Sequence, residues 1–334
     1  MSLIRDLANV KEIYKEAAER GWVLPCLCSE NLTTTEAIMQ AAAEYGKDNN
    51  IKNVPLIIAI TCNYSHRSQA QNYTATKRWD TGLKLFTNDI KALTEDNGPF
   101  KDLRVMIHLD HIQHDSDLEL LNGDLSDYAS IMYDASALPF GDNIKKTAEF
   151  VTKRGKEILI EGACDEIVDA TGSVHNELTT PENAKRYSDE TGVDMIVANL
   201  GTEHRATGKE LQYHGDLARQ IKQKIGSTIV LHGTSSVTNE QVRNLYGDGI
   251  CKVNIWTALE RDSSPILLDE MVKNAVKVAG PDCVERLIKE GYLTEKCRID
   301  EKASISHFTT VYRQDIVFDR IKNMVRDYLD LWYI

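Results

Sequence analysis

Arg104-Val-Met-Ile-His-Leu-Asp-His111 opens as an apolar run of strand length and closes on a carboxylate beside an imidazole. Adjacent side chains of a regular strand leave on opposite faces, which would separate Asp110 from His111. If the strand ends at Leu109, both can turn into one pocket at its tip. That pairing suits a metal ligand next to a general acid/base.

Outward from this stretch, short apolar runs alternate with helical patterns. The runs are residues 22–28, 54–61, 104–109, 130–134, 158–163, 194–200, 228–231 and 250–255. Between and after them, helical spacing covers residues 33–45, 81–95, 115–121, 140–153, 180 onward, 215–224, 238–245 and 259–278. Near-continuous apolar strands, each followed by a helix, call for a parallel sheet. Eight such units make the chain an α/β protein and predict a closed (β/α)8 TIM barrel. An open doubly wound sheet is the alternative, but no G-x-G-x-x-G turn follows the first run. The barrel is expected over residues 20–280 of a single domain, with a C-terminal helical extension over 281–334. Within that extension, residues 315–332 carry apolar side chains at helical spacing, and the aromatic end can cover either the barrel or an oligomer partner.

Bulk properties narrow the partners. A net charge of −12 argues against nucleic acid and anionic membranes, while leaving room for a local basic pocket. No apolar run approaches membrane-spanning length. Residues 1–19 are charged and helical in pattern, unlike a signal peptide, so the seven scattered cysteines read as reduced thiols of a cytoplasmic protein.

The informative residues sit at strand ends. His111, His204 and His232 each follow a different strand, and in a barrel those tips converge on one face. Three neutral imidazoles make a zinc set with an open position. A lone histidine is usually a hydrogen-bonding residue; three at the same end shift the balance. His108 reads as a supporting group within its strand, and His66, His175, His214 and His307 as structural or solvated. Gly233-Thr-Ser235 resembles a short nest whose N–H groups can hold an anion, with Ser235 and Thr257 adding hydroxyls.

Seven segments together resemble the class II, zinc-dependent ketose-bisphosphate aldolases. They are Ile107-His-Leu-Asp-His111, residues 132–144, Thr180-Pro-Glu-Asn-Ala184, Thr191-Gly-Val-Asp194, Gly201-Thr-Glu-His204, Val230-Leu-His-Gly233 and Lys252-Val-Asn-Ile-Trp-Thr257. The resemblance implies one Zn2+ per subunit, or another divalent metal, on His111, His204 and His232. It implies that Asp110 is the acid/base at the C4 hydroxyl and that Asn254 lies near the enediolate. Asn31 and Thr61 fall where the family has substrate-binding polar groups, and Gly233, Ser235 and Thr257 match its phosphate cradle. Departures are equally specific. The family's Glu-x-Glu at strand five reads Glu161-Gly-Ala163, its lid leaves Glu166 and Asp169 as the nearby carboxylates, Arg205 replaces a glycine, and Trp256 replaces an acid or amide.

The implied function is a metal-dependent aldolase of a phosphorylated ketose, fructose 1,6-bisphosphate or a related phosphosugar, working as a homo-oligomer (dimer or tetramer). Two other readings are open. One is a non-catalytic aldolase-like barrel subunit; the other is a Schiff-base aldolase using Lys252.

Overall fold

The structure, a computed structural model, describes residues 2–166, 178–206 and 208–333. All eight apolar runs form strands, preceded by a short extra one. They are β1 (Leu3–Ile4), β2 (Leu24–Cys28), β3 (Pro55–Thr61), β4 (Arg104–Gln113), β5 (Ser130–Asp134), β6 (Leu159–Ala163), β7 (Met195–Val197), β8 (Ile229–Leu231) and β9 (Ile250–Ile255). Every pairing is parallel, and the β4–β5 contact closes β2 to β9 into a ring. The strands are buried on both faces because helices cover the outside and side chains fill the inside, which is why they read as apolar runs. β1 lies beside the first residues of β4, Leu3 opposite Val105 and Ile4 opposite Met106. β5 begins to pair with β4 only at His108, so β1 satisfies the backbone that β5 has not yet reached.

Expected helix signals hold where caps are strong. Thr180 accepts from the Asn183 N–H and Pro181 opens the helix Pro181–Thr191. Asn31 does the same for Leu32–Asp48, accepting from the Thr34 N–H. Other boundaries move. Residues 239–244 form successive turns, with helix only at Leu245–Asp248. The expected helix at 259–278 begins at Thr257 and breaks at Asn274 into Thr257–Lys273 and Ala275–Ala279. Four residues of the loop at 63–76 also turn helical, Gln69–Asn72.

The C-terminal helix Thr310–Trp332 packs on Leu32–Asp48 and Thr257–Lys273. Of the two surfaces its aromatic end can cover, the chain's own barrel is one it does cover. Tyr333 stacks on Trp22 with centroids 4.5 Å apart, and its hydroxyl donates to the Pro55 carbonyl at 2.9 Å. Trp22 and Pro55 lie at the entry of β2 and β3, so this packing seals the end of the barrel opposite the strand tips. Among the described residues, no helix is long and apolar enough to cross a membrane.

Candidate metal centre

The opening stretch departs from simple alternation. β4 runs on through Asp110 and His111 to Gln113 instead of ending at Leu109. Between Leu109 and Ile112 it advances three residues while β5 advances two, from Ile131 to Tyr133. This is a β-bulge, and within it His111 adopts the left-handed region at φ 47°. The extra residue cancels the alternation, so Asp110 and His111 both face one pocket at the strand tips. The expected pocket is there; a bulge creates it, rather than an early strand end.

His204 and His232 reach the same pocket on loops after β7 and β8. The Thr202 hydroxyl donates to the His232 carbonyl at 2.6 Å, and the Glu203 N–H donates to the Ser236 hydroxyl at 3.1 Å. These bonds fix the two loops against each other. Gly233 makes the approach possible: it sits at φ 69°, and a Cβ there would meet Glu203 backbone atoms at 2.8 Å. One ring nitrogen from each of His111, His204 and His232 lies within 4.8 Å of the others.

The donor set fits a divalent cation. Nε2 of His111 is buried without a hydrogen-bond partner, while Nδ1 meets Asp134 Oδ2 at 2.8 Å. A carboxylate there fixes the tautomer and leaves Nε2 as the lone-pair donor. Burial pulls the His111 imidazolium down, but Asp110 and Asp134 outweigh it and its pKa lies above the ordinary value. A metal would displace that proton. Burial pushes the Asp134 carboxyl up, yet the hydrogen bonds from His111 and Ser136 prevail and it lies below the usual range. Tyr64 covers the site, its ring parallel to His111 at 4.3 Å.

Asp110 stands beside the histidines, 4% exposed. Its Oδ1 accepts from Asn254 Nδ2 at 2.8 Å and its Oδ2 from the Cys28 thiol at 3.4 Å. Burial works to raise its pKa; the charges of His111 and His232 and the nearby His108, 3.7 Å away, hold it well below the ordinary value. Its carboxyl group faces the pocket, placed to accept a proton. Asn254 Oδ1 is buried without a partner.

The remaining expected residues divide. Arg205, Gly233, Ser235 and Thr257 line the pocket. Thr61 lines it too, but its hydroxyl already donates to the Arg67 carbonyl and accepts from the Gln69 N–H. Asn31 is exposed, serves as a helix cap and is not part of the pocket wall. Glu166 is exposed and also outside the wall. Asp169 and His175 lie outside the described residues. Among the wall residues not anticipated as functional are Tyr64, His66, Arg67 and Gln69. They come from the polar loop after β3, whose lack of any period hides which side chains turn inward. Arg67 pairs with Glu30 and lies over the Trp256 ring at 5.5 Å.

Lys252 does point into the barrel, but it is fully buried and not part of the pocket wall. Its ammonium donates to Glu161 Oε2 at 2.6 Å. Burial works to lower its pKa, but Cys26, Glu161 and Asp110 raise it above the ordinary value. A Schiff base needs a neutral, accessible amine, and this one is neither.

Residues 8–305 match the sequence model of a family described as fructose-bisphosphate aldolase class-II. Among solved structures, the chain is similar to a fructose-bisphosphate aldolase from Campylobacter jejuni, with a TM-score of 0.73 at 15% identity, covering 99% of this chain and 95% of that one. It is also similar to the YdjI aldolase from Escherichia coli K12, with a TM-score of 0.65 at 17% identity, covering 99% and 97%. At these identities the structural likeness establishes the barrel.

Proposed function

The chain belongs to the class II fructose-bisphosphate aldolase family, and from that premise we propose that it cleaves and condenses a phosphorylated ketose with a divalent metal, zinc first among them. His111, His204 and His232 would hold one ion per subunit. The observation that carries this reading is the convergence of the three imidazoles beside Asp110 at one end of the barrel.

A divalent ion held there supplies Lewis acidity to the ketone oxygen. Asp110 takes the C4 hydroxyl proton as the C3–C4 bond breaks and its electron pair moves to C3, and it returns that proton in condensation. Asn254 holds Asp110 and offers its unpartnered Oδ1 to a substrate hydroxyl. The carbon proton is assigned to a carboxylate of the segment after β6, Glu166 or Asp169.

The substrate's phosphate would lie at Gly233, Ser235 and Thr257. Thr257 opens a 17-residue helix that has no side-chain cap, and uncapped helix N–H groups attract anions. Arg205 extends this end. It sits at φ 55°, where a non-glycine residue costs roughly 1–2 kcal/mol, and its guanidinium meets His66 Nδ1 at 3.0 Å. A cation kept at a strained position on the pocket wall supports a role in holding the substrate's phosphate or a carboxylate. Arg205→Ala is expected to raise KM for the anionic substrate at least tenfold with metal content unchanged. Wild-type KM in that variant would make Arg205 a surface residue.

We assign the exposed apolar side chains of residues 266–311, among them Leu268, Tyr292 and Ile305, to contact with a second copy. Sedimentation should give a dimer or tetramer; a monomer at micromolar concentration refutes it.

The whole reading is tested with zinc-loaded protein and a panel of phosphorylated ketoses, measuring aldehyde release with and without chelator. Chelator-sensitive cleavage of at least one is expected. Failure of the folded, metal-loaded protein on every member would favour the non-catalytic barrel.

A further inference from the structure

Below the three histidines the barrel interior holds a polar layer with no access to the pocket. Glu161 on β6 and Lys252 on β9 are both fully buried, and two other strands separate theirs in the ring. Lys252 Nζ donates to Glu161 Oε2 at 2.6 Å and lies 3.3 Å from His108 Nε2. His108 is anchored in turn through Nδ1 to the Ser130 hydroxyl at 2.8 Å. The other oxygen of Glu161, Oε1, faces His232 Nε2 at 3.4 Å.

Burying an ion pair this deep is expensive, and well-packed apolar residues often do as well or better for stability. Stability therefore gives no reason for its presence here; its far end does. Glu161 contacts an imidazole of the metal set, and no other carboxylate is paired with His232 among the described residues. The next inward position of β6 is Ala163, so that strand presents no second acid closer to the site.

We propose that Glu161 and Lys252 are positioning residues of the metal centre. Lys252 pins Glu161, and Glu161 keeps the proton of His232 on Nε2, turning Nδ1 toward the ion. The inference rests on the metal reading above. It makes His232 the counterpart of His111, which Asp134 backs from the other ring nitrogen. The two ligands would then bind through different nitrogens, Nε2 of His111 and Nδ1 of His232. Lys252 has a second effect: a buried carboxylate paired with an ammonium is not free to swing toward the cation and close its open position.

The test uses full-length protein and metal alone, without substrate. Zinc affinity is measured by chelator competition, and ligand geometry by the visible spectrum of the cobalt(II) form. Glu161→Gln keeps the shape but loses the charge that holds His232, and it should bind zinc about 10–100-fold more weakly, with a changed cobalt spectrum. The double variant Glu161→Gln with Lys252→Met should match the single variant within about twofold, because Lys252 acts only through Glu161. If Glu161→Gln alone fails to fold around an unpaired ammonium, the double variant removes that charge and is compared directly with wild type. Wild-type zinc affinity and an unchanged spectrum in the folded variant overturn the inference. A further tenfold loss in the double variant also overturns it, since Lys252 would then act by another route. A wild-type protein that binds no metal removes the metal reading itself, whereas one that binds metal with or without Glu161 removes only this inference.

Discussion

Asp110→Asn is expected to keep its metal and lose carbon–carbon cleavage by about 10²–10⁴-fold, the range typical of a general acid/base group. The amide fills the same space, and its oxygen can still accept one of the bonds that Asn254 and Cys28 now make to the carboxylate. What it loses is the ability to accept the hydroxyl proton. The loss should appear in single-turnover cleavage and not in zinc content, which separates it from damage to the metal set. Near-normal turnover would move the role elsewhere. Glu161 is a poor substitute because Lys252 holds it below the pocket, and Glu203 is not part of the pocket wall either.

His232→Ala should abolish activity by removing the metal. Two imidazoles remain, and three protein ligands are the usual minimum for a catalytic zinc. The barrel should stay folded, since the bond from the Thr202 hydroxyl goes to the His232 carbonyl and survives the change. Elemental analysis after dialysis is expected to show little zinc, with a near-native circular dichroism spectrum. Full occupancy in this variant would refute the triad, whatever the activity.

The barrel was legible because each strand is buried on both faces and therefore continuously apolar. The strand boundaries at 130–134 and 250–255 agree with the expected ones. The histidine set was legible for a related reason: polar residues at the end of an apolar run have few purposes other than a site. The course of β4 was not. A bulge depends on how many residues the neighbouring strand spends over the same distance, and that register is a property of the pair. Nor could the sequence separate Thr61 from Ser235. Both are hydroxyls near strand ends, and only the fold shows that Thr61 is engaged by its own loop. One signal was available for the buried polar layer. His108 with Asp110, and Lys252 with Asn254, are polar residues two apart in otherwise apolar strands, so they share the inner face. For Tyr64 and Arg67 no comparable pattern exists.

The bulge also bears on engineering. To move this metal site onto another (β/α)8 scaffold, copying the three histidines and Asp110 would not suffice. On an evenly paired strand, alternation would turn either the acid or its adjacent histidine toward the outer helices. The additional residue of β4, with its left-handed backbone at His111, is part of what must be transplanted. Conversely, deleting one residue between Leu109 and Ile112 would restore regular pairing with β5 while dismantling the centre. The irregularity in the wall of the barrel is thus a separable module, and a designer can add or remove it by changing the length of one strand by a single position.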